Sequence, residues 1–322
     1  MTARSVWIDT DMGFDDLAAV LTVAHTPGWC IDGLSLVAGN APLHVVADNA
    51  LRAAAFFGWS MPIHAGSDRP LTVALVTAQN ILGDDGMASA GRNLPAARAA
   101  LASQDGVGAL GNYLASSAVP VTLLALGPLT NVARVLMARP ELAKCIGTLL
   151  WMGGSAGPGN HTAAAEFNAA VDPEAVQAVL DAKVRLRMVG LDACRQVRVH
   201  AADAEALRAI GTERATLLAD LLLGYVRIAS ADGSLPMSLY DPSAAAALVA
   251  PQGMVFRAAH MVVECKGEHT RGMTVVEWRV PRKAAANADV ASVADEGMLR
   301  GVVLSALAQA ARAVNLAEPD EA

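Results

Sequence analysis

Several things are scarce in this 322-residue chain, and each scarcity removes a class of function. Its 24 Lys and Arg form no cluster and are outnumbered by 31 Asp and Glu, for a formal net charge of −7. A nucleic-acid polymer or an anionic membrane surface is held by a Lys/Arg patch, so neither is expected as a partner, and a small molecule is. The four cysteines, Cys30, Cys145, Cys194 and Cys265, are scattered without the spacing of a metal site, which fits free thiols in a reducing cytoplasm. No apolar run reaches the length of a membrane span, and because the sequence enters an apolar strand almost at once, no secretory leader is expected. Aromatic residues make up only 4%, against an abundance of Ala, Val and Leu that is ordinary for a compact enzyme. With no internal repeat, low-complexity tract or linker, one domain over residues 1–322 is expected.

What the chain does have begins at Val6-Trp7-Ile8-Asp9-Thr10-Asp11-Met12-Gly13-Phe14-Asp15-Asp16. An apolar strand runs into four carboxylates, Gly13 marks a turn, and residues 17 to 24 continue as an apolar helix. Four like charges this close raise each other's pKa values unless something positive sits among them. A bound divalent cation resolves the conflict, and an all-oxygen donor set suits Ca²⁺ or Mg²⁺ better than zinc. Helix capping accounts for one or two of these carboxylates but not for four. An EF-hand loop is excluded, because the twelfth position counted from Asp9 is Val20 where a bidentate Glu is required. An apolar strand ending Asp-x-Asp also suits an aspartyl phosphatase, with Asp9 as nucleophile and Asp11 as acid. That reading leaves Asp15, Asp16 and a later polar loop without a role.

Strand and helix signals then alternate. Strands are expected at 31 to 38, 62 to 65, 121 to 126, 148 to 152 and 184 to 190. Helices are expected at 44 to 57, in two stretches ahead of the strand at 121, and from 132. One or two further helices are expected over 203 to 231, which carries Tyr225, another over 243 to 250 behind Tyr240-Asp241-Pro242, which has the form of a cap, and a long one over 295 to 314. Residues 67 to 94 are irregular around Gly83-Asp84-Asp85-Gly86, and a segment of that length is usually functional. A Gly-rich polar loop over 155 to 168 holds Asn160, His161, Glu166 and Asn168. Asp172-Pro173-Glu174 has the form of a capped helix start, a structural role. Late strands at 254 to 265, 273 to 280 and 288 to 293 extend the sheet or make a small antiparallel edge. The expected fold is α/β, a single open, mostly parallel sheet with helices on both faces. Ligands of such sheets bind outside the carboxyl ends of the strands, which gathers Asp9 to Asp16, Asn40, Leu126 and 152 to 168 at one crevice.

The assembled motifs resemble the inosine-uridine preferring nucleoside hydrolase family. The resemblance is carried by Asp9-Thr10-Asp11-Met12-Gly13-Phe14-Asp15-Asp16, Gly39-Asn40 and Ala125-Leu126-Gly127-Pro128-Leu129-Thr130-Asn131. It continues through Met152-Gly153-Gly154, Asn160, Glu166-Phe167-Asn168 and Asp241-Pro242. It implies a Rossmann-like fold and a Ca²⁺ held by Asp11, Asp16, the carbonyl of Leu126 and Asp241, with ribose hydroxyls and a water completing the shell. Asp15 would be the general base that activates that water. Asp9, Asn40, Asn160, Glu166 and Asn168 would hold ribose hydroxyls, with Met152 and Phe167 at the sugar pocket. Homodimers or homotetramers, and a place in purine and pyrimidine salvage, are further implications. The chemistry is coherent in itself, since cleaving a ribosyl C1′–N bond builds positive charge on the sugar, which carboxylates and amides around the ring stabilise.

Two positions depart from the family's pattern on the side of the leaving base, where Leu82 and Tyr240 stand in place of histidines. Tyr240 is the candidate proton donor, although an unperturbed phenol near pKa 10 is a reluctant one at neutral pH. Tyr225 is a second candidate. Trp278, which would stack on a base, fits ordinary packing in a late strand better. Of the seven histidines, His161 alone sits in the polar loop. A sensor that kept the pocket and lost hydrolysis is the non-enzymatic alternative.

Overall fold

A computed structural model describes residues 4–280 and 284–313. Eleven strands are found among the described residues: β1 (Arg4–Thr10), β2 (Trp29–Leu36), β3 (Ile63–Ala65), β4 (Val121–Ala125), β5 (Ile146–Met152), β6 (Leu186–Val189), β7 (Arg198–Val199), β8 (Met237–Ser238), β9 (Met254–Val263), β10 (Thr274–Glu277) and β11 (Ala288–Ala294). Nine of them form one sheet in the order β10-β9-β11-β6-β5-β4-β1-β2-β3. The run from β3 to β6 is parallel, and β11 pairs parallel to β6. Strands β9 and β10 run antiparallel at the edge, so the late strands both extend the sheet and give it an antiparallel border.

Side-chain alternation along the strands divides the interior in two. Val6, Ile8, Leu124, Leu150 and Met152 face one way, against the helices Phe14–Ala24, Asp241–Val249 and Glu296–Arg312. Trp7, Leu123, Ala125, Leu149 and Trp151 face the other, against Gly106–Ser116, Thr130–Ala138 and Pro173–Asp181. Strands buried on both faces read as continuous apolar runs, which is why β4 and β5 are so conspicuous in the sequence. No helix among the described residues is long and apolar enough to cross a membrane.

Only one of the two helical stretches expected ahead of β4 forms, Gly106–Ser116. The residues before it spend their backbone groups on the sheet edge instead. Ala102 N donates to Ile63 O at 2.7 Å, and Ala65 N donates to Ser103 O at 3.0 Å. Pairing with β3 outweighs the helix propensity of an Ala-rich segment. The capped helix at Pro173 forms as expected, with Asp172 Oδ1 accepting from Ala175 N at 3.1 Å. Asp241 is not a cap, because the N-cap position of its helix is Tyr240 and no side chain caps it. The last helix is described to Arg312, and the expected endpoint at residue 314 lies outside the described residues.

Strand order reverses between β1 and β4, which diverge to their neighbours on opposite sides. Loops leaving the carboxyl ends of two such strands splay apart and open a crevice. The acidic turn follows β1 and Leu126 follows β4, so both lie at this point.

Candidate active site

The turn after β1 is built around Asp16, the third residue of its helix. Asp16 Oδ2 accepts from Gly13 N at 2.8 Å, and Oδ1 accepts from Asp11 N at 3.2 Å and from the Thr10 hydroxyl. The left-handed backbone of the turn falls on Met12, with φ 44°, and not on its glycine, Gly13, whose φ is −78°. Met12 is fully buried, and Asn49 Nδ2 holds its carbonyl at 3.3 Å. A non-Gly residue in that region costs of the order of 1–3 kcal/mol and survives only where its surroundings impose it. Gly13 is required for a different reason: a Cβ there would lie 2.8 Å from Asn40 Nδ2 and 3.2 Å from Asp15 Oδ1.

Asn40 ties the turn to the loop after β2. Its backbone N donates to Asp11 Oδ2 at 2.7 Å, and its Nδ2 lies 3.1 Å from Asp11 Oδ1 and 3.4 Å from Asp16 Oδ2. Oxygens of Asp15, Asp16 and Asp241 lie within 4.8 Å of one another. Asp11 and Asp241 both stand within hydrogen-bonding reach of Asp16. Burial, then repulsion from Asp16, drives the carboxyls of Asp11 and Asp241 well above the usual range, and the same two causes push Asp15 up to about 7. Four crowded carboxylates with no protein cation among them are a poor arrangement for a metal-free protein and a good one for a hard cation. The donor set therefore fits an oxygen-ligated divalent ion, with Asp15, Asp16 and Asp241 the tight trio and Asp11 beside them. Asp15 is the least buried of the four and faces the cavity.

That cavity, of about 590 Å³, is lined by Asp11, Asp15, Asn40, Leu126, Met152, Asn160, Glu166, Phe167, Asn168, Tyr225, Tyr240 and Asp241. Residues separated by more than two hundred positions meet there. Leu126 contributes a carbonyl that accepts from Asn168 Nδ2 at 2.9 Å, and Asn168 also reaches Met152 O at 3.1 Å. Glu166 caps the short helix Phe167–Val171 and accepts three backbone N–H groups, from Gly154 at 2.7 Å, Asn168 at 2.9 Å and Ala169 at 3.0 Å. Burial is the largest influence on it and lifts its carboxyl to about 7. Asn160 Oδ1 accepts from Phe167 N at 3.0 Å, leaving its amide NH₂ for a ligand. The Tyr225 hydroxyl donates to Ser238 O at 2.7 Å and so pins the chain just ahead of Tyr240. Burial, foremost, raises both phenols, that of Tyr240 to about 12.

Asp9 and Asp16 stand outside the lining. Asp9 is 2% exposed, and its Oδ1 accepts from Asn131 Nδ2 at 2.8 Å and from the Ser35 hydroxyl. Its Oδ2 has no partner, and burial above all lifts the carboxyl to about 7. Trp278 is also outside the lining, under the guanidinium of Arg257 at 4.6 Å. His161 and Leu82 are in it. Sequence reasoning missed the supports: Ser35 and Asn49 carry no motif signal, whereas Thr10 stands inside the acidic motif and Asn131 at the end of the Gly-Pro-Leu-Thr-Asn run, both without an assigned role. It also missed Val76, Ile81, Ile228 and Met237, apolar residues of a loop, two helices and the short strand β8 that reach the cavity only through the fold.

Comparison with known proteins places this arrangement. A family model described as inosine-uridine preferring nucleoside hydrolase matches residues 6–300. The pyrimidine-specific ribonucleoside hydrolase RihA of Shewanella woodyi is 36% identical over 277 residues, covering 85% of this chain and 88% of that one. RihA of Salmonella enteritidis is 35% identical over 279 residues, 86% and 89% of the two chains. Among solved structures, an inosine-guanosine nucleoside hydrolase superposes with a TM-score of 0.86 at 25% identity, covering 97% of this chain and 99% of that one. A purine-preferring ribonucleoside hydrolase from Gardnerella vaginalis, at 22% identity, shares the fold with a TM-score of 0.87 over 96% and 99% of the chains.

Proposed function

The chain belongs to the inosine-uridine preferring nucleoside hydrolase family, and from that premise we propose that it cleaves the N-glycosidic bond of ribonucleosides to ribose and free base, with Asp15 as general base. The observation that carries the reading is the carboxylate cluster of Asp11, Asp15, Asp16 and Asp241, in which Asp11, Asp15 and Asp241 line a cavity large enough for a nucleoside and Asp16 stands behind them. Asp11, Asp16, Asp241 and the Leu126 carbonyl would hold Ca²⁺. A cation bound there supplies Lewis acidity and an anchor for hydroxyl oxygens.

The protein's own groups do the rest. Asp15, open to the cavity, takes the proton of a water that approaches C1′ from the face opposite the base. Asn40, Asn160, Glu166 and Asn168 hold the ribose hydroxyls, which orients C1′ and leaves unpaired buried groups if a hydroxyl is missing. Hydrogen bonds from Asn168 Nδ2 fix the carbonyls of Leu126 and Met152 at the cavity, and the Met152 sulfur lies 3.7 Å from the same amide. As positive charge grows on the ring, the surrounding carboxylates are already held in place by the fold, so little reorganisation is needed. Asp9, buried outside the lining, acts by holding Asn131, which in turn fixes Ser67 N at 2.8 Å and Leu36 O at 3.0 Å behind the cluster.

The test is release of free ribose from uridine, cytidine and inosine, with and without a chelator. Release that chelation abolishes and Ca²⁺ restores is the expected result. Tight Ca²⁺-dependent riboside binding without release would make the protein a sensor instead.

A further inference from the structure

The cavity is divided by chemistry. Its floor and the 160–168 loop carry carboxylates and amides, whereas segments 76–82 and 228–240 present Val76, Ile81, Leu82, Ile228 and Met237. Val76 and Ile81 are 51% and 60% exposed, so this apolar surface faces the opening. A ribose has little apolar area to place against it, and a flat heterocycle has much. The base therefore belongs to that wall.

The polar groups added by the wall, Thr77, Asn80 and the phenol of Tyr240, are uncharged in their ordinary state. The Tyr225 hydroxyl beside it donates to Ser238 O and lies within hydrogen-bonding reach of Asp15, and like the other groups of the wall it carries no charge. The imidazole in the lining, His161, belongs to the polar loop and packs edge-on against Phe167 with centroids 5.4 Å apart. Among the described lining residues there is no Lys or Arg to set against Asp11, Asp15, Glu166 and Asp241. When C1′–N breaks, the bonding pair passes to the ring nitrogen. An ordinary purine or pyrimidine then leaves as an anion unless it is protonated, and an apolar wall without a charged donor disfavours an anion.

Resting on the hydrolase reading, we propose that the substrates this site favours are ribosides whose ring nitrogen is already quaternary and cationic, of the N-ribosyl pyridinium type. In nicotinamide riboside the pyridinium nitrogen takes the pair and departs as a neutral pyridine. The water oxygen bonds C1′, its proton passes to the Asp15 carboxylate and on to solvent, and nothing is oxidised or reduced. No acid is needed. The excess of carboxylates attracts the cation, and during cleavage its charge moves from the ring towards the sugar, closer to them, instead of being newly created. The neutral product is left against the apolar wall, and Asn80 offers an amide to its carboxamide.

The experiment compares kcat/KM of the full chain in calcium buffer for nicotinamide riboside, inosine and p-nitrophenyl β-ribofuranoside, whose leaving group is activated without an acid. Because a general acid is worth about 10²- to 10⁴-fold, nicotinamide riboside should exceed inosine by at least about 100-fold. Cleavage of the p-nitrophenyl probe with inosine within tenfold of nicotinamide riboside overturns this inference and leaves the hydrolase reading standing. Cleavage of none of the three overturns the hydrolase reading and the inference with it.

Discussion

Replacing Asp9 by Asn should change how stability depends on pH more than it changes stability itself. Asp9 is 2% exposed, with one oxygen held by Asn131 and Ser35 and the other unpartnered. Its carboxyl is lifted from 3.8 to about 7, burial being the largest cause. A raised carboxylic acid keeps its proton in the folded state over a range where the unfolded chain has released it. Its contribution is therefore most favourable below about 4, declines as pH rises, and levels off above about 7. Taking about 1.4 kcal/mol per pKa unit, the decline between pH 5 and pH 8 is about 2–3 kcal/mol. Asn cannot ionise, and its Oδ1 can accept the same two hydrogen bonds. Its NH₂ replaces an unpartnered oxygen by an unpartnered donor, a cost independent of pH. Urea unfolding of parent and Asp9→Asn proteins, both chelated, at pH 5 and pH 8 measures the difference. The stability of the variant relative to the parent should improve by about 2–3 kcal/mol at the higher pH. Parallel pH profiles would refute the reasoning and mean that Asp9 is ionised throughout, stabilised by something this structure does not place beside Oδ2.

Three other outcomes follow from the site. Glu166→Gln turns one acceptor oxygen into a donor facing backbone N–H groups of Gly154 and Ala169 or of Asn168, so it should cost about 1–3 kcal/mol in denaturant unfolding; no loss would show that these bonds are not formed. Gly39→Ala would place a Cβ 2.1 Å from Asp11 Oδ2 and 2.9 Å from Pro128 Cδ. It should destabilise by about 1–3 kcal/mol and weaken Ca²⁺ binding in titration calorimetry, where unchanged affinity would separate Asp11 from the cation. Added Ca²⁺ at one hundred times its dissociation constant should stabilise the chelated protein by about 2.7 kcal/mol, and Asp241→Asn should lose most of that gain; identical unfolding curves with chelator and with Ca²⁺ would count against a cation in the cluster.

Much of the sheet was legible because the central strands are apolar runs bounded by glycine and polar turns, and the carboxyl-end rule then gathered Asp15, Asn40, Leu126 and Asn168 at one crevice. Local patterns could not reveal what tertiary pairing decides. The Ala-rich segment before Gly106 is extended because β3 takes its backbone hydrogen bonds. Met12, not Gly13, carries the left-handed turn, since Asp16 and Asn49 hold the backbone from either side. Asp9 reads as one more acid of the motif, yet side-chain alternation along β1 sends it to Ser35 and Asn131 rather than to the cavity. The apolar wall of Val76, Ile81, Ile228 and Met237 carries no motif at all, because a surface that receives a heterocycle needs only shape and the absence of charge.

The most direct test of the account is to measure riboside binding and ribose release side by side in the Ca²⁺-loaded parent and in Asp15→Asn. The amide keeps the shape of the side chain and removes the base, so the variant should bind nicotinamide riboside and uridine within a few-fold of the parent while kcat falls by about 10²- to 10⁴-fold. An Asp15→Asn protein that releases ribose at the parent's rate would contradict the assignment of Asp15 as the base that activates water at C1′.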